Sequence, residues 1–172
     1  MKNRRLSRQG DELLSKSVSN YLTAILYLSG GRQSCLVKAS ELARYLHVSP
    51  PSITNMVHRL MAQKHSLILH REHHGVRLSA LGQRRALQLV RRHRLLTTFL
   101  RTILDFPLAQ TDEEAARMEH VVSSLFEERL AAKLGNPKTD SFGRCIPTRM
   151  GAMPETHGNS CRCLERVSGC GV

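Results

Sequence analysis

Two groups of residues could do chemistry by their type and spacing. Between Val48 and Lys64, Ile53, Val57 and Leu60 recur at helical spacing with Met56 at the edge. That pattern leaves Ser52, Asn55, His58 and Arg59 on the opposite side. Ser49 can cap the free N–H groups of the first turn, and Pro50 suits the first helical position. A short, polar, mildly basic outer face offers donors and acceptors to base edges and phosphates, which suits a helix in a DNA major groove. An ordinary amphipathic surface helix has the same pattern, so the neighbouring elements must decide. The second group is His157, Cys161, Cys163 and Cys170, spaced H-x3-C-x-C-x6-C. It could bind Zn²⁺ but matches no zinc finger, and disorder is the competing expectation. Glu119 and His120 could form an acid/base pair. No paired nucleophile, Gly-rich phosphate loop or H-E-x-x-H accompanies them, so no enzyme is expected.

The elements that position the first group follow from periodicity. Val18, Tyr21, Leu22, Ile25 and Leu28 predict a helix over 13–28, ended by Gly30 and Gly31. Leu42, Ala43 and Leu46 predict a second helix within 37–46, with Ser40 as the N-cap candidate. A tight connection through His47 then leads into the polar-faced helix, giving a helix-turn-helix. Residues 67–70 and 76–78 read as two strands around a turn closed by Gly75. This hairpin is the wing of a winged helix, and Arg71, His73, His74 and Arg77 place cations at its tip or flank for phosphate contact. Ser79 caps a long helix to about residue 104, with Ala86, Leu89, Val90, His93, Leu96, Leu100 and Ile103 as its stripe. Arg84, Arg85, Arg91, Arg92 and Arg94 decorate its other faces. After the break at 105–107, a further helix over 111–134 is expected, capped by Thr111. These two wide apolar stripes suggest a dimer interface. No packed element is assigned beyond Pro137.

Charge is divided unevenly along the chain. The 172 residues carry a formal charge of +12. Residues 1–101 hold 18 Lys and Arg against 4 Asp and Glu, whereas 102–172 hold 8 against 10. A basic first part and a near-neutral second part fit a nucleic-acid module joined to another function. Residues 1–12 read as a basic mobile arm. No apolar run approaches the roughly 20 residues of a bilayer span. No secretory signal opens the chain, so a cytoplasmic protein with cysteines as thiols is expected.

With these residues in hand, the chain resembles the metal-dependent repressors related to the diphtheria toxin repressor and the manganese transport regulator. The similarity is carried by Asn20-Tyr-Leu-Thr-Ala-Ile-Leu-Tyr-Leu28, Ala39-Ser-Glu-Leu-Ala43, the 48–57 stretch, and Gly75-Val-Arg-Leu-Ser-Ala-Leu-Gly82. Further matches are Arg92-His-Arg-Leu-Leu96, Met118-Glu-His-Val121, Gly135-Asn-Pro-Lys138 and Ile146-Pro147, so the resemblance covers about residues 16–147. It implies a mainly α protein, a winged helix-turn-helix DNA-binding domain followed by a helical dimerisation and metal-binding domain. The expected divisions are 1–83, 84–147 and a Cys-containing tail over 148–172. The resemblance further implies a homodimeric repressor on a palindromic double-stranded DNA operator, controlled by Mn²⁺ or Fe²⁺ with Zn²⁺ also admitted, and no membrane partner. Ser49, Pro51, Ser52 and Asn55 would read bases, joined by Arg59, Arg71 and Arg77. His93, Glu119 and His120 match family ligands, and Asp112 could substitute for a second-site His. Asn20, Thr23, Thr97 and Ala116 depart from the ligand pattern. These departures keep open a regulator that has lost metal control. A protein that coats nucleic acid without sequence preference is a further alternative.

Overall fold

The computed structural model describes residues 14–62 and 65–154; the arm over 1–12 and the His157, Cys161, Cys163 and Cys170 group lie outside the described residues. Helix α1 (Lys16–Leu28) buries Val18, Tyr21, Leu22 and Ile25, the stripe expected of it, and Ser15 caps its first turn. Helix α2 (Ala39–Leu46) starts differently from expectation. Lys38 stands at the N-cap and the Glu41 carboxylate accepts its backbone N–H at 2.8 Å, so Ser40 does not cap. Val37 is not helical. It exchanges backbone hydrogen bonds of 2.8 and 2.9 Å with Val76, adding a bridge to the wing.

His47 closes α2 with a left-handed φ of 53°, and α3 (Pro50–Met61) follows after a two-residue step. Ile53, Val57 and Leu60 are its buried face, as read from the sequence. Ser49 is at the N-cap, but its hydroxyl pairs with Ser52 Oγ at 2.9 Å and makes no bond to the backbone. Strands β1 (Ile68–Arg71) and β2 (Gly75–Leu78) pair antiparallel, with Ile68 opposite Leu78 and Arg71 opposite Gly75. Gly75 has a φ of +117°, and a Cβ there would lie 2.3 Å from the Val37 carbonyl oxygen. The Val37–Val76 bridge therefore depends on glycine at this turn.

Helix α4 (Ala80–Thr102) belongs to two cores. Ala86, Leu87 and Val90 pack with α1, α2, α3 and the wing, while Leu95, Leu96 and Leu100 pack with Ala115, Val122, Leu130 and Ile146. The single helix expected over 111–134 is two, α5 (Leu108–Met118) and α6 (Ser124–Lys133). Thr111 is not a cap: it is buried one turn into α5, its hydroxyl donating to the Pro107 carbonyl at 2.9 Å. The break falls where β-branched Val121 and Val122 precede Ser123, whose hydroxyl accepts the Phe126 N–H at 3.2 Å and starts α6 afresh.

Four further expectations are corrected. Arg94, read as an outward cation, is only 2% exposed, whereas Ile103, read as part of the stripe, is 49% exposed. Cys35 and Cys145 are disulfide-bonded, not thiols. Residues 148–154 pack along α4: Gln88 donates to the Arg149 carbonyl at 3.3 Å, and Met153 sits against the first core. Among the described residues no helix is long and apolar enough to cross a membrane.

Helix α4 enters against β1 so closely that a Cβ on Gly82 would lie 1.8 Å from the Leu67 carbonyl oxygen. Gly82→Ala is expected to cost at least about 1–3 kcal/mol of overpacking in urea unfolding. Ser79→Ala, which removes the 3.0 Å cap to the Gly82 N–H, should cost about 1 kcal/mol. A G82A variant as stable as the wild type would contradict this packing.

Candidate metal centre and nucleic-acid interface

Four consecutive basic residues lie on α4 between its two cores. Arg91 and Arg92 each direct Nε to one oxygen of the Glu127 carboxylate, both at 2.9 Å. His93 donates from Nδ1 to Glu119 at 2.7 Å and from Nε2 to Asp112 at 3.0 Å, joining α4 to the second turn of α5 and to its C-cap. Arg94 turns inward, donating to the Cys145 carbonyl and hydrogen-bonding the Tyr27 phenol of α1. The four cations thus fix α4 to three neighbours: Arg91 and Arg92 to α6, His93 to α5 and its C-cap, and Arg94 to α1 and the Cys145 carbonyl.

His93 carries a positive charge in this setting. Burial alone would lower its pKa, but the hydrogen bonds and charges of Asp112 and Glu119 outweigh that and raise it to about 9. The His93 hydrogen bond is also the main reason that Asp112 is held well below the usual carboxylate range, with Arg144 adding to it. His120 behaves oppositely: burial lowers its pKa and favours the neutral imidazole. Its Nε2 stands 3.5 Å from Glu119 Oε1, and among the described residues its buried Nδ1 has no hydrogen-bond partner. A cavity of about 650 Å³ opens beside these groups, bounded by Thr23 and Tyr27 of α1, His93 of α4, Asp112 and Glu119, and Arg144.

The structure therefore brings His93, Asp112, Glu119 and His120 together. Two imidazoles and two carboxylates are donors of the right chemistry for a divalent transition metal. His93, Asp112 and Glu119 line the cavity, while His120 stands beside Glu119 and is not among the lining residues. As the side chains stand, among the described residues no three His, Cys, Asp or Glu groups converge to hold an ion. The reason is visible in the pairing: both nitrogens of His93 are engaged by separate carboxylates, and Asp112 also receives Arg144 at 3.0 Å. The departing positions add no imidazole or carboxylate. Asn20 is exposed, Thr23 donates to its own helix at the Ser19 carbonyl, and buried Thr97 donates to the Arg94 carbonyl. Ala116 lines the cavity without a ligating atom. Arg94 and Arg144 were not singled out in the sequence as parts of this site. An arginine one residue after His93 reads as surface charge unless the opposing carbonyl and phenol are known.

The polar side of α3 is open. Ser49, Pro51, Ser52 and Asn55 are all exposed, as are His58 and Arg59. Arg59 Nη2 reaches back to Ser15 Oγ at 3.3 Å, tying α3 to the start of α1. On the wing Arg71 is exposed, whereas Arg77 donates to the Gln33 carbonyl at 3.0 Å. In the second half of the chain Ile103, Leu104, Leu108, Val121, Leu125 and Phe126 are each exposed apolar side chains.

Comparison with known proteins decides the family. Residues 13–73 match the model of the iron dependent repressor N-terminal DNA binding domain, and residues 79–148 that of the iron dependent repressor metal binding and dimerisation domain. The chain belongs to the iron-dependent repressor family. It is 31% identical over 118 residues to the iron-dependent repressor IdeR of Mycobacterium leprae, covering 67% of this chain and 50% of that protein. It is 30% identical over 108 residues to the diphtheria toxin repressor of Corynebacterium jeikeium, 63% of this chain and 44% of that protein. Among solved structures, a manganese-dependent transcriptional repressor in complex with manganese aligns with a TM-score of 0.69 and 33% identity, over 81% of this chain and 63% of that one. ScaR with bound Zn²⁺ aligns with a TM-score of 0.70 and 32% identity, over 82% and 64%. The chain spans about half the length of the curated relatives it matches.

The His93 charge predicts a pH dependence in this family member. A pKa raised from 6.5 to about 9 contributes stability that is fully present below 6.5 and is lost as pH rises through about 9. The melting temperature in the presence of chelator should therefore fall across that window. In His93→Gln the fall should be markedly shallower. Equal slopes for the two proteins would show that His93 is not the charged partner of Asp112 and Glu119.

Proposed function

We propose that this chain is a DNA-binding transcriptional repressor, controlled by a divalent transition metal, Mn²⁺ or Fe²⁺, and acting in metal-ion homeostasis. It works as a homodimer on a palindromic operator, in the cytoplasm, and carries out no catalysis. Residues 1–83 are read as the DNA-binding domain, 84–147 as the dimerisation and metal-binding domain, and 148–172 as a tail. The observation that carries this reading is the pairing, in one family member, of an open polar α3 face with an imidazole–carboxylate cluster on the helix shared by both cores.

Ser49, Pro51, Ser52 and Asn55 are assigned to base contacts. Asn55 suits a bidentate contact to adenine, and Pro51 offers an apolar surface to thymine methyls. Arg59, Arg71 and Arg77 are assigned to phosphates, where charge contributes affinity without sequence preference. His93, Asp112, Glu119 and His120 are the residues that would hold the metal. A bound divalent ion would supply a positive charge shared by carboxylate and imidazole donors of α4 and the α5 end. Arg94 and the Arg91–Glu127–Arg92 bridge hold α4 in place beside that cluster. The exposed apolar side chains of Ile103, Leu104, Leu108, Val121, Leu125 and Phe126 support pairing of two copies, which would present α3 twice to successive grooves.

Operator binding, followed by fluorescence anisotropy, should weaken with chelator and recover with Mn²⁺ or Fe²⁺. Asn55→Ala should cost about 1–3 kcal/mol on the operator and far less on random duplex. Affinity untouched by chelator would leave a winged-helix regulator without metal control. Equal binding to operator and random duplex would remove the sequence-specific reading altogether.

A further inference from the structure

We infer that Arg144 is a built-in competitor for the metal, its guanidinium holding Asp112 Oδ1 in an ion pair that a divalent ion using that oxygen must displace. The inference rests on the reading above that His93, Asp112, Glu119 and His120 hold a metal, and it adds what regulates that site. Arg144 is held from three sides. Its Nε donates to Asp140 at 2.6 Å, its Nη2 donates to Asp112 at 3.0 Å, and its Cζ lies 4.6 Å from the Phe142 ring centroid. Asp140 is itself fixed, its side chain fully buried and its other oxygen accepting the backbone N–H groups of Phe142 and Arg144 at 2.9 and 2.8 Å. A guanidinium secured in this way is a permanent feature of the cavity wall and not a wandering surface charge.

The oxygen it reaches is decisive. Asp112 Oδ1 receives both Arg144 Nη2 and His93 Nε2, each at 3.0 Å. An ion using that oxygen must displace one or both donors and then remain beside a fixed positive charge. Ala116 supplies no compensating carboxylate on the same wall of the cavity. The cost falls hardest on Mn²⁺, at the weak end of the series of divalent affinities, and less on ions that bind imidazole nitrogen tightly. Arg144 thereby raises the ion concentration needed to load the site and favours nitrogen-seeking metals. A merely structural Arg144, stapling the turn that contains Phe142 to α5, would affect folding stability without altering metal affinity.

The test compares wild type, Arg144→Gln and Arg144→Lys by Co²⁺ absorption titration against a competing chelator, and by the shift in melting temperature on adding Mn²⁺. Arg144→Gln should bind Co²⁺ roughly tenfold more tightly and show a larger Mn²⁺-induced shift. Arg144→Lys, which keeps the charge, should stay close to wild type. Arg144→Met retains the stem over Phe142 and replaces the Gln variant if that one does not fold. Tight wild-type binding unchanged or weakened by Arg144→Gln would overturn the inference while leaving the metal reading intact. A gain in Arg144→Lys equal to that in Arg144→Gln would also overturn it. Absence of Co²⁺ uptake in every variant would remove the metal reading and the inference together.

Discussion

Helix α4 is one uninterrupted 23-residue element that serves two hydrophobic cores, and its basic segment at residues 91–94 is where it passes from one to the other. Unpaired cations at such a junction would be costly to bury. Instead each is matched: Arg91 and Arg92 by Glu127 of α6, His93 by Glu119 and Asp112, and Arg94 by the Cys145 carbonyl and Tyr27. The positions of α5, α6 and the 140–145 turn relative to the winged helix therefore follow from where four neighbouring side chains find their partners. A helix of apolar residues throughout would pack the two cores without dictating this arrangement.

That constraint also explains why the candidate metal donors sit where they do. His93 is the one imidazole of the basic segment, and it faces Asp112 within α5 and Glu119 at the C-cap of that helix, the two acids that raise its pKa to about 9. Tyr27 and Thr23 of α1 border the same cavity, so changes at His93 adjoin the first helix of the DNA-binding half. The open face of α3 is tied to α1 in turn, through Arg59 and Ser15. The residue after His93, Arg94, hydrogen-bonds Tyr27 of α1, and α1 is tied to α3, so α1 lies between the cluster and the open α3 face.

Much of this was legible in the sequence because it depends on local rules. Helical periodicity located α1, α3 and α4, Gly75 located the wing turn, and Ser79 the start of α4. Thr111 misled because a threonine followed by acids resembles a cap, while the Pro107 carbonyl one turn earlier had already begun α5. The four candidate metal-donor positions rest on resemblance, and their spacing alone does not join residue 93 to 112 and 119. Arg94 and Arg144 were missed for a related reason. Buried Arg94 is acceptable only because a carbonyl and a phenol distant in sequence satisfy it, and half-buried Arg144 joins Asp140, four residues before it, to Asp112, which no periodicity connects to either.

The central claim is that His93 is a charged imidazolium clamped between two carboxylates, beside a neutral His120. Long-range ¹H–¹⁵N correlation of the histidine side chains at pH 7.5, in chelator, reads this directly. Both nitrogens of His93 should show the shifts of a protonated imidazolium, and His120 should show the separated shifts of a neutral ring. A neutral His93 under those conditions would contradict the ion-pair clamp and, with it, the competition between Arg144, His93 and metal for Asp112.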